Sequence, residues 1–117
     1  MKVIIIKDNE SYDKIPTLYE NDFGFTVNFR VKDDLNASYD IGSTSEVLLK
    51  VLNLNDEAVL INNTCEIVSS SLGQCRYEFK EADLLNTSGI FTCELEMSSS
   101  IRRYSISMGR TLIKESQ

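Results

Sequence analysis

A chain of 117 residues has room for one sizeable core and not for two ordinary ones, so 1–117 reads as a single domain. Its 42% hydrophobic and 26% charged residues are those of a folding chain, neither disordered nor lipid-seeking. A net charge of −6 argues against nonspecific nucleic-acid binding and against an anionic membrane surface, and the lack of any histidine removes the commonest neutral-pH base and a usual zinc ligand.

The opening MKVIIIKDNESYDK carries a short apolar run that reads as a first strand. It is too short for a secretory signal core or a membrane span, which gives the expectation of synthesis in a cytoplasm. Residues 8 to 22, with the single proline Pro16, are polar enough for an extended connector or an N-terminal arm. FGFTVNFRVK then alternates, with Phe23, Phe25, Val27, Phe29 and Val31 on one face, so it reads as a half-buried strand. KDDLNASYDIG is rich in residues that form turns by local hydrogen bonding. Its Asp33, Asp34 and Asp40 are oxygen donors of the kind calcium takes, but their spacing matches no defined calcium loop and an acidic turn explains them better.

EVLLKVLN, from 46 to 53, fits a helical stripe or a strand by periodicity, and its neighbours favour strand. AVLI at 58–61 and CEIV at 65–68 flank NNT as a hairpin or a bent pair. QCRYEF alternates with Cys75, Tyr77 and Phe79 inward, and KEADLLNTSG predicts one helical turn running into a loop. IFTCELEM places Phe91, Cys93, Leu95 and Met97 on one face, with Glu94 and Glu96 on the other as a solvated pair rather than an acid–base set. After the SSSIRR turn, YSISMGRTLI forms the last strand, with Tyr104, Ile106 and Met108 inward and Gly109 as a bulge.

The sum is an all-β fold, an antiparallel sandwich of about seven to eight strands with one short helical turn. Cys65, Cys75 and Cys93 lack metal-site spacing and read as buried thiols. Cys75 and Cys93, inward on successive strands, are placed to be neighbours. Asn36, Asn62 and Asn86 fit the glycosylation acceptor pattern and mark polar loops. No motif supplies a nucleophile, a phosphate loop or a cofactor fingerprint, so the expected protein is not an enzyme and needs no metal or cofactor.

One stretch carries a recurring pattern. LGQCRYEFKEADLLNTSGIFTCELEM has a glycine, an alternating strand ending in an aromatic, an acidic turn, a second glycine and an aromatic-led strand. It resembles the Ig-like N-terminal domain of the baseplate upper proteins of tailed bacteriophages, through Gly73, Tyr77, Phe79, Asp83, Gly89, Phe91 and Glu94. Asp40, Ile41 and Gly42 resemble that domain's step into the next strand, and the similarity spans about residues 22 to 113. The resemblance implies an Ig-like sandwich acting as a virion structural module, in a baseplate, tail or capsid decoration, with other virion proteins or copies of itself as partners.

A carbohydrate-binding or host-surface adhesion module is the alternative, because Tyr12, Tyr19 and Tyr39 lie in polar segments where they could stack on a sugar. Residues 101 to 117 carry net +3 through Arg102, Arg103, Arg110 and Lys114 against Glu115, leaving −9 on the remainder. The expected contact residues are therefore Tyr12, Tyr19, Asp33, Asp34, Tyr39, Arg102, Arg103 and Arg110.

Overall fold

In the computed structural model, which describes all residues except Ser43, Ser45, Ser116 and Gln117, the chain begins with a hairpin that alternation alone did not reveal. Strand β1 (Lys2–Lys7) turns through Asp8 and Asn9 into β2 (Glu10–Tyr12), with Lys7 opposite Glu10. Both turn residues take positive φ, 52° and 65°, as a two-residue type I′ turn requires, and Asp and Asn are the non-glycine residues that tolerate it best. The expected connector thus contains β2 and a second short strand, β3 (Leu18–Tyr19). Between them Ile15 and Leu18 are buried, so the segment is woven into the fold rather than free as an arm.

The remaining strands are β4 (Thr26–Lys32), β5 (Glu46–Asn53), β6 (Val59–Thr64), β7 (Glu66–Ser69), β8 (Gln74–Glu78), β9 (Gly89–Ser98) and β10 (Arg103–Lys114). They form two five-stranded sheets, ordered β2-β1-β4-β8-β7 and β3-β10-β9-β5-β6. Every pairing is antiparallel except β3 with β10, which run parallel through Ile113 opposite Leu18 and Lys114 opposite Tyr19. This is an all-β sandwich. Its core is built by the inward parity of β4 (Val27, Phe29, Val31), β5 (Val47, Leu49, Val51), β8 (Cys75, Tyr77) and β9 (Phe91, Cys93, Leu95, Met97).

Several expectations change. No helical turn forms in 80–89: residues 81–86 make successive turns, and the Asp83 carboxylate is held by the Tyr77 hydroxyl and the Lys80 amide. Phe23 is 57% exposed and lies before β4, which starts at Thr26, since Gly24 takes φ +81° and breaks the alternation. The segments 58–61 and 65–68 are a bent pair and not a hairpin, because the chain leaves one sheet at Thr64 and enters the other at Glu66. Cys75 and Cys93 sit in opposite sheets; the thiol that meets Cys75 belongs to Cys65, at the crossing point. The GSTS boundary before β5 includes Ser43 and Ser45, which lie outside the described residues.

The bulge at Gly109 is present. Ser107 faces Glu94 and Arg110 faces Thr92, so β10 spends one extra residue there, with Gly109 at φ +75°. The extra residue reverses strand parity: Ile106 and Met108 point inward before it, Thr111 and Ile113 after it. Arg110 is thereby turned to the surface.

Candidate interaction surface

Strand β10 organises the basic end of the molecule. One edge pairs with β9 along nearly its whole length, while the other meets β3 only at Ile113 and Lys114. From Arg103 to Arg110 that second edge has no strand partner among the described residues. Arg103, Ser105, Ser107 and Arg110 are exposed along this stretch, and Ile106 and Met108 anchor it to the core.

Arg103 is fixed by a residue expected to be solvated. Glu96, on the neighbouring strand, is only 5% exposed. Its two oxygens are taken by the Lys50 ammonium from β5 and by Arg103 Nε at 3.2 Å, so three adjacent strands are joined on the outer face of the sheet. The aliphatic stems of Lys50 and Arg103 can lie over the carboxylate while their charged ends neutralise it, which makes this burial tolerable. Arg103 is therefore a structural partner first, with its side chain still 76% accessible.

At the start of β10, the Arg102 guanidinium lies over the Tyr104 ring, 4.4 Å from the centroid. Both line a small hollow with Tyr39, Asp40, Thr44 and Ser99. Burial, then the neighbouring Tyr39, raises the Tyr104 hydroxyl above its ordinary pKa. At the other end of the open stretch, Arg110 and Leu112 line a groove of about 500 Å³ with Tyr12, Lys14, Ile15 and Pro16. The groove floor is held by Thr111, whose buried hydroxyl donates to the Ile15 carbonyl at 2.7 Å and straps the connector to β10.

The eight expected contact residues thus divide. Tyr12 and Arg110 meet in the groove, and Tyr39 and Arg102 meet in the hollow. Tyr12 also donates to Glu10 at 2.7 Å, which raises its pKa. Tyr19 is 47% exposed on β3. Asp33 and Asp34 join neither cleft. Asp33 Oδ1 accepts from the Leu35 and Ala37 amides at 2.9 and 3.0 Å, and Asp40 Oδ1 accepts from the Gly42 amide at 2.7 Å. These carboxylates shape their own loop. Asp34 accepts from the Met1 amino group at 2.8 Å, and the hydrogen bond to that ammonium lowers its pKa. Among the described residues no three His, Cys, Asp or Glu side chains cluster as a metal site.

A cleft of about 660 Å³ lies where β6 crosses to β7 and is lined by Thr26, Asn63, Thr64, Arg76, Tyr77 and Glu78, among others. Its wall is a polar lock between the two sheets. Tyr77 donates to Asp83 Oδ2 at 2.5 Å, Asn63 Nδ2 donates to the Tyr77 hydroxyl at 2.8 Å, and the Lys80 amide donates to Asp83 at 2.8 Å. Burial, then the bond to Asp83, pushes the Tyr77 phenol well above its normal range. Two residues of the recurring sequence pattern, Tyr77 and Asp83, are partners in this lock, and a third, Phe79, packs edge-on against Tyr77 at 5.1 Å. Because Tyr77 is only 3% exposed, it offers no ring face to a ligand in the cleft.

The thiols are equally committed. Burial pushes Cys93 up to about 11, and its contact with Cys75 followed by burial raises Cys65 further. Cys65 and Cys93 therefore stay protonated at neutral pH, and all three thiols are buried.

No protein-family model matches the chain, and no curated protein sequence matches it. Among solved structures it is similar to CopC from Methylosinus trichosporium OB3b, at 7% sequence identity over 86% of each chain and a TM-score of 0.51. At that identity the likeness is one of fold, a β-sandwich.

Proposed function

We propose that the chain is a non-enzymatic assembly module of a bacteriophage particle, a baseplate, tail or capsid-decorating component made in the host cytoplasm and carried on the virion. One observation carries the assembly half of this reading. The groups chemistry would recruit are spent on structure, whereas the basic edge of β10 is left open between two clefts. Asp33 and Asp40 close turns, Asp83 locks the two sheets, Glu96 ties three strands, and all three thiols are buried. The particle half rests on the resemblance of residues 22 to 113 to the Ig-like domain of baseplate upper proteins.

The partners under this reading are other virion proteins or further copies of the chain. A glycan-binding role is less well supported by the geometry: Tyr12 and Tyr39 line different clefts, and Tyr77 is turned into the core. The test is mass spectrometry of gradient-purified particles from the source. Stoichiometric recovery of the chain with the particle is expected. Its presence only in the unassembled lysate fraction would overturn the virion assignment.

A further inference from the structure

We propose that the open edge of β10, from Arg103 to Arg110, is a strand-addition site for an extended acidic segment of a partner protein. This goes beyond the virion reading and does not depend on it, since it follows from the edge alone.

An exposed sheet edge offers alternate amides and carbonyls to any extended chain that can lie beside it. Here β10 keeps a regular register with β9 from Arg103 to Ser107, and the Gly109 bulge ends the regular stretch. What the edge would accept is set by charge. A second copy meeting it edge to edge would oppose arginine with arginine, which is repulsive. An acidic strand would instead set its carboxylates against Arg103 and Arg110, while Arg102 stands at the entrance over Tyr104. Arg103 is already neutralised in part by Glu96, so Arg110 supplies the larger unshared charge.

The groove gives a second, independent indication. It begins where the bare edge ends, and Ile15, Pro16 and Leu112 make its lining mainly apolar. Strand β3 already runs beside the last residues of β10, so an added strand would lie in line with it and reach this groove. There an apolar side chain of the incoming segment would be buried, with Lys14 and Arg110 at the rim for its acidic neighbours. The ligand is therefore an extended segment with alternating acidic and apolar residues.

The probe is a capped heptapeptide alternating glutamate and valine, titrated into the isotope-labelled full chain and followed by amide NMR and hydrogen exchange. Shifts and slowed exchange are expected along 103–110 and at Lys14 and Leu112. The same peptide with alternate amides N-methylated should lose binding, and the Arg110→Glu chain, checked for an unchanged fold by its spectrum, should bind roughly tenfold more weakly. No shifts at millimolar peptide would overturn the proposal. So would shifts that survive N-methylation, which would mean contact by charge without strand addition, or shifts centred on another edge.

Discussion

At the scale of single residues, the molecule is held by a few buried polar contacts whose loss has distinct signatures. The Tyr77 hydroxyl joins β6 to the 80–86 turns through Asn63 and Asp83, so Tyr77→Phe should cost about 1–2 kcal/mol in denaturant unfolding, with the Lys80 amide still holding Asp83. Thr111→Val keeps the shape but leaves the buried Ile15 carbonyl without its donor. It should destabilise by about 1–3 kcal/mol and speed exchange selectively in residues 13 to 19. Cys93 sets an alkaline limit. Its folded pKa, about 11, is raised above the ordinary thiol value of 9.0, so the neutral form favoured by the core contributes stability that is intact below pH 9 and lost as pH rises towards 11. The melting temperature should therefore be flat from pH 6 to 8 and fall above pH 9, and Cys93→Val should blunt that fall. With all three cysteines buried, a thiol reagent at pH 7.5 should label none in the native chain and three after denaturation.

At the scale of elements, backbone conformation decides what alternation cannot. Gly73 takes φ +66°, and a methyl group there would run into the carbonyl oxygens of Tyr39 and Val31. Gly73→Ala should be among the most damaging surface-distant substitutions, by more than about 2 kcal/mol, seen as a lower urea midpoint. The strands with period-two burial, β4, β8 and β9, were legible in the sequence because each has one face in the core and one in water. The inward places of Cys75 and Cys93 followed from the same parity. The β1–β2 hairpin was missed because β2 is only three residues long, although Asp8-Asn9 is a dipeptide suited to positive φ. The helical turn in 80–89 was expected from propensity and was displaced by a tertiary contact, Tyr77 to Asp83. Sheet membership was illegible. Nothing local reveals that the chain changes sheets at Cys65, and so the pairing of Cys65 with Cys75 could not be chosen over Cys75 with Cys93. Glu96 shows the same limit: alternation placed it on the outer face, but its burial depends on Lys50 and Arg103 arriving from two other strands.

At the scale of the whole molecule, the charge asymmetry of the sequence acquires a location. Arg103 and Arg110 lie along one strand that is open on one side, with Arg102 just before it, while Asp33 and Asp40 of the acidic loop close on that loop's own amides. A surface so divided should associate with acidic partners in a salt-dependent way, and binding to the NMR probe peptide should weaken several-fold between about 50 and 300 mM salt. The strap between Thr111 and Ile15 spans 96 positions of sequence, and the parallel pairing of β3 with β10 is as remote. Contacts of that range close long loops, whose entropy must be met before the contact rewards it. On the ribosome, β1 can pair with β2 and β4 early, whereas residues 13 to 19 must wait for the last strand to emerge before Ile15 and Leu18 find their places, so this seam of the sandwich closes only after synthesis has passed β10.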